Sequence, residues 1–261
     1  MNRLRNRYTN TFPKFLYMAT IVTAFVTNIN RVETRPYEKY IELGKHLLHQ
    51  AIPTVCFVER HVYEDYFADQ THHYPLTTFR MFERSDNYLY EHEHELTDFW
   101  LDTDNPTKDT PGYMFVQCHK TEWVKMAIEE NPYHTEQFIW IDFGIYHMIQ
   151  NEMDFAVSLK NLVRKHYDGI RIASCVDLNT PCTHLDLYRQ VSWYFAGSIF
   201  GGSKADLLVF ANRMKSFTVA LMKQKKHIMW EINLWYLLYQ LDKSSFLPYH
   251  CNHNLSILEH Y

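Results

Sequence analysis

The sequence predicts an α/β domain built on a mostly parallel, twisted sheet flanked by helices, and three observations lead to that reading. The run Phe138-Ile139-Trp140-Ile141 lies between polar Glu136-Gln137 and Gly144. Too short for a helix by itself, it reads as a fully buried central strand. Nearer the start, an apolar β-branched stretch at 20–26, a helical pattern at 36–50 and a second apolar stretch at 54–58 form a β-loop-α-β opening. That order implies a parallel pair joined by a right-handed crossover. Two long amphipathic helices, at 204–225 and 231–241, supply layers to cover the sheet.

Each element has a local reason. In the first helix Ile41, Leu47 and Leu48 form the buried stripe, and Pro36 suits the first turn. Residues 60–112 are rich in Tyr, His and acidic groups without a sustained period, and are expected as helices lining a cleft. Residues 113–117 read as a strand and 120–130 as a helix, so the alternation resumes before the 138–141 strand. A further strand is expected at 169–175, and 194–202 stands out as an aromatic, glycine-rich segment. No internal repeat is visible.

Composition narrows the function classes. A chain of 261 residues with 46% hydrophobic and 16% aromatic residues builds a sizeable core, and no break in composition splits it, so one domain is expected. The 26 Lys plus Arg nearly balance 30 Asp plus Glu, which disfavours nucleic acid as a partner. Cys56, Cys118, Cys175, Cys182 and Cys251 form an odd set without a CxxC pair, as fits free thiols in a reducing, cytoplasmic compartment. Arg3, Arg5, Arg7 and Lys14 precede an apolar run from Phe15 to Val26 and so imitate a signal or anchor. That run is interrupted by Thr20 and Thr23 and is too short to span a membrane.

The candidate site starts from Asp142, at the carboxyl end of the 138–141 strand. Ligands bind at that edge of open α/β sheets, and a carboxylate there is placed to hold a hard divalent cation against phosphate oxygens, although an Asp in this position can also simply cap a turn. By the same edge argument a nucleotide base and ribose are expected near Thr23, Phe25 and Asn28, with Arg31 near the phosphates. Gly197, Gly201 and Gly202, within Trp193 to Lys204, let backbone approach a ligand while the neighbouring aromatics offer a wall for a sugar ring. The order Ser203-Lys204 is the reverse of what a phosphate loop requires. Asp142-Phe143-Gly144 imitates a kinase triplet without the rest of the kinase set.

Glu231, between Trp230 and Trp235, is the candidate catalytic carboxylate, suited to act as base, nucleophile or cation stabiliser at an anomeric carbon. A Glu at a helix start can also serve simply as a favourable charge against the positive end of the dipole. His250, with His253 three residues on, is a possible second ligand for a metal begun by Asp142. Asp102-Thr103-Asp104 is a literal Asp-x-Asp, but it sits in a polar loop with no strand to present it and ranks below Asp142.

In combination, the 20–26 strand with Asn28, Asn30 and Arg31, Tyr40-Ile41-Glu42-Leu43-Gly44, Trp140 to Gly144, Gly197 to Lys204 and Trp230-Glu231-Ile232-Asn233 resemble the HtrL/YibB-like glycosyltransferases of bacteria and large viruses. The similarity runs over nearly the whole chain, and a remoter one reaches transferases of the blood-group type. The resemblance implies a single GT-A type domain with a nucleotide-binding half at about 15–145 and an acceptor and sugar half at about 146–261. It also implies a nucleotide-sugar donor, a UDP-sugar favoured, a glycan or other hydroxyl acceptor, and Mn2+ or Mg2+. In one respect the chain departs from the pattern, because Gly144 stands where GT-A enzymes carry the second Asp of Asp-x-Asp. That departure supports the rival expectation of a catalytically inactive GT-A domain that binds sugar or protein. A metal-dependent hydrolase draws only on the histidine count.

Overall fold

Among the described residues, seven strands, numbered β1 to β7 in chain order, form one sheet in the order β3-β2-β1-β4-β6-β5-β7. The computed structural model describes residues 18–27, 36–149, 151–180 and 184–261. Asn28, Asn30, Arg31, the basic positions Arg3, Arg5, Arg7 and Lys14, and Cys182 lie outside the described residues. β1 (Ala19–Phe25), α1 (Tyr37–Leu48) and β2 (Thr54–Val58) realise the expected opening, with β1 and β2 parallel. After the short helix α2 (Arg60–Tyr66), β3 (Thr77–Met81) pairs parallel to β2. The 60–112 region, expected as helices, thus contains an edge strand and several 3-10 turns. β3 is half-buried throughout, so it lacks the apolar run that reveals a central strand.

The next helix corrects the sequence reading. α3 (Pro111–Glu130) is continuous, and residues 113–117, expected as a strand, form its first turns. Thr110 caps it by accepting from the Tyr113 amide, and Pro111 occupies the first turn. The β-like composition of Tyr113, Phe115 and Val116 yields to that start signal and to packing.

β4 (Gln137–Ile141) is parallel to β1 and buried at every position. Phe138 and Trp140 join the core under α3, while Ile139 and Ile141 join the core on the opposite face, which α4 (Glu152–Leu162) covers. β5 (Ile170–Ser174) and the short α5 (His184–Arg189) follow. The glycine-rich segment is a nine-residue strand, β6 (Phe195–Ser203), antiparallel to both β4 and β5. α6 (Lys204–Lys225) and α7 (Glu231–Leu241) match the predicted helices. β7 (Phe246–His250), unforeseen, pairs parallel to β5 ahead of α8 (Ser256–Glu259).

The expected single α/β domain with a mostly parallel sheet between helices is the architecture found. The carboxyl ends of six strands and the start of reversed β6 therefore meet at one edge. Among the described residues, no helix is long and apolar enough to cross a membrane, and Cys56, Cys118, Cys175 and Cys251 carry free thiols.

The core beneath α3 contains one acid-sensitive group. His119 is fully buried against Phe82, Tyr88 and Trp123, and neither ring nitrogen has a hydrogen-bond partner. Burial, aided by the Lys215 charge, pushes its pKa down from 6.5 to about 3. Below pH 6.5 the unfolded chain therefore binds a proton that the native state refuses, and stability falls with pH at up to about 1.4 kcal/mol per unit until the folded value is reached. His119→Leu is expected to flatten this limb. Urea midpoints of both proteins at several pH values between neutrality and pH 4 check it, and equal slopes would exclude His119 as the source.

Candidate active site

A cleft of about 570 Å3 opens at the carboxyl edge. Asp142 follows β4, its amide donating to Ser198 O of β6 at 2.9 Å. Trp140 Nε1 donates to Asp142 Oδ1 at 2.8 Å, and the Trp140 indole is itself stacked on Trp123, so the carboxylate is tethered to the core. Glu231 opens α7 and is 4% exposed. Between the two lies Lys120, from the middle of α3. Its ammonium stands 3.0 Å from Glu231 Oε1, 3.1 Å from Asp142 Oδ1 and 2.9 Å from Gly197 O, so its three N–H groups meet three acceptors.

The electrostatics follow from burial. Desolvation alone would lower the Lys120 pKa, but Asp142 and Glu231 outweigh it and raise the pKa above the usual 10.5. The stabilisation this pairing supplies is thus complete below pH 10.5 and is lost only as pH rises through the folded value. The close approach depends on Gly197, where a Cβ would collide with Glu231 Oε1.

Asp142, Gly197 and Glu231, picked separately from the sequence, are therefore brought together. Asp102 and Asp104 also line the cleft, presented by a loop rather than a strand. That loop is held by the Asp102 amide on Arg189 O at 2.7 Å and by Gln190 Nε2 on Asp102 Oδ2 at 2.6 Å. The remaining candidates sit elsewhere. Gly201 and Gly202 are inside the sheet, where side chains would strike Tyr261 and the Gly169 carbonyl respectively, and Gly202 has φ +151°. Thr23 is buried within β1, and Phe25 stacks on Phe143 at 5.2 Å; neither lines the cleft. His250 is exposed at the end of β7 and outside the cleft lining, whereas His253 belongs to it. Asn28 and Arg31 lie outside the described residues.

The structure also accounts for Gly144. A Cβ there would lie 2.9 Å from Tyr40 Cδ1, so a second Asp would have to displace that ring. Among the described residues no three His, Cys, Asp or Glu side chains converge as a metal-binding group. Asp142 Oδ1 is engaged by both Trp140 and Lys120, and neither contact uses Oδ2. Mg2+ commonly uses only one or two protein carboxylates, so a single unengaged oxygen does not by itself disqualify Asp142 as a ligand.

Lys120, Asp109 and Asn233 are the site residues that sequence reasoning overlooked or left without a role. Lys120 lies one turn before Trp123 and Val124 on the buried face of α3. A lysine on an apolar stripe was the available signal, and dividing the helix at 117 concealed it.

The profile of the family described as "Bacterial protein of unknown function (HtrL_YibB)" matches residues 94–228, just over half of the chain. The chain belongs to that family. Comparison with the curated proteins gave no match. Among solved structures, the chain is similar to mouse xyloside xylosyltransferase 1 in its apo form, with 7% identity, a TM-score of 0.46, and 89% of this chain and 85% of that one covered. It is similar to 4-diphosphocytidyl-2C-methyl-D-erythritol synthase from Anaerococcus prevotii, with 10% identity, a TM-score of 0.44 and coverage of 93% and 91%. It is also similar to CMP:2-keto-3-deoxy-manno-octonic acid synthetase complexed with CTP, with 10% identity, a TM-score of 0.45 and 90% of each chain covered.

Proposed function

We propose that the protein is a glycosyltransferase that moves a sugar from a nucleotide-sugar donor, a UDP-sugar favoured, to a hydroxyl acceptor with help from a divalent metal. The observation that carries the reading is the Lys120-bridged pair of Asp142 and Glu231 at the carboxyl edge of the sheet. Glu231 is held on a helix start against an ammonium that orients it, so its carboxylate is preorganised to meet positive charge at an anomeric carbon or to take the acceptor's proton. Lys120 has all its N–H groups occupied and acts as a positioning residue. Asp142 would hold the metal through Oδ2, and the ion when bound would neutralise the diphosphate leaving group. The need for such a cation follows from the cleft, where Lys108 balances Asp109 but Asp102, Asp104, Asp142 and Glu231 face Lys120 alone.

Incubation with a panel of nucleotide sugars, with and without Mn2+, tests the reading. Transfer or slow donor hydrolysis that needs the metal is expected; binding without turnover would instead favour an inactive sugar-binding domain. Asp142→Ala is expected to abolish Mn2+-supported UDP binding in calorimetric titration while the protein stays folded. Unchanged affinity would remove Asp142 from the site and promote Asp104.

A further inference from the structure

We infer that the wall formed by the 102–109 loop and Trp193 is a neutral-sugar subsite in which Asp109 accepts hydroxyl hydrogen bonds and the Trp193 indole carries the apolar face of the ring. Resting on the transferase reading, the inference assigns this wall to the acceptor.

Asp109 is the main observation. It is 7% exposed, lines the cleft, and accepts from Thr103 Oγ1 at 2.5 Å through Oδ2. Its Oδ1 has no hydrogen bond, its charged neighbour being Lys108 Nζ at 3.7 Å. An enclosed carboxylate oxygen left without a donor is costly, so the side chain gains by turning this oxygen toward a ligand hydroxyl in the cleft it lines. Lys108 already balances the charge, which favours a neutral hydroxyl over a cation. Asp102 and Asp104 on the same loop oppose a phosphate, so this wall does not suit the donor's diphosphate.

Trp193 is the independent observation. It lines the cleft, is 53% exposed, and meets the His253 ring edge-on at 6.5 Å. A large aromatic kept half in water gives up hydrophobic stabilisation that a stacked ring would restore. The segment presenting it is pinned from below by fully buried Asn233, whose Nδ2 donates to Leu187 O and Gln190 O at 2.7 Å each. Asn233 Oδ1 accepts from the Ser192 amide at 2.9 Å. The platform is thus fixed by the same helix start that carries Glu231.

The probes are the methyl glycosides of glucose, galactose, mannose and xylose, observed by saturation-transfer NMR on the full chain, with UDP and Mn2+ titrated calorimetrically in parallel. At least one glycoside is expected to bind in the millimolar range. Asp109→Asn and Trp193→Ala should each weaken it roughly tenfold or more, the size of losing a hydrogen bond to a charged group, and leave UDP affinity unchanged. If Asp109→Asn does not fold, Trp193→Ala, at a half-exposed position, decides. Absence of binding by every glycoside, binding that neither variant alters, or loss of UDP affinity with glycoside binding intact would each overturn the assignment. Glycoside binding is read without turnover, so a chain that binds glycosides but hydrolyses no donor would count against the transferase reading alone.

Discussion

Glu231→Gln is expected to leave the protein folded and its nucleotide affinity nearly unchanged while cutting turnover about a hundredfold or more. The amide keeps the size of the side chain and an acceptor oxygen for Lys120, which stays charge-paired with Asp142 at 3.1 Å. What it loses is the negative charge and basicity that a nucleophile, base or cation stabiliser needs. A Glu that merely favoured the positive end of α7 would behave otherwise, costing under about 1 kcal/mol and sparing turnover. Melting temperature and turnover measured on one preparation separate the outcomes, and a stable, fully active Gln variant ends the catalytic assignment.

Lys120→Met should produce the largest loss of stability of any single change in the cleft. Methionine fills most of the space, but Asp142 and Glu231 are left facing each other without the ammonium that joins them. Stranding buried charge in this way costs about 3–5 kcal/mol, which in a chain of this size lowers the melting temperature by roughly 5–9 °C. Turnover should fall with it, because Glu231 loses the contact that orients it. The double variant Lys120→Met/Glu231→Gln, with one stranded carboxylate neutralised, should recover part of the stability but none of the activity. Additive losses would show that Lys120 and Glu231 do not act as a unit.

Much of the fold was legible because the core elements advertise themselves locally. β2, α6 and α7 were bounded from their apolar pattern and helix signals alone, and β4 to within a residue. Elements whose stability comes from neighbours were misread. β3 and β7 are edge strands without a buried run, and β6 carries glycines that argue locally for a loop. In the sheet those glycines are required because Tyr261, the Phe138 carbonyl and the Gly169 carbonyl occupy the space side chains would need. The start of α3 reads locally as a strand because aromatic and β-branched residues suit either state until packing chooses.

For the site, the chain by itself determined which residue types stand at strand and helix ends: a carboxylate after β4, a glycine early in β6 and a carboxylate opening α7. Those features are local, and residue chemistry with periodicity suffices to find them. Only the tertiary structure decided that they meet, that buried Lys120 from α3 joins them, and that Asp109 and Trp193 face the same cleft while His250, Gly201 and Gly202 do not line it. The reason is that charge pairing and exposure are set by contacts between segments far apart in sequence. Lys120 and Glu231 are 111 residues apart, and no local pattern records that separation closing to 3.0 Å.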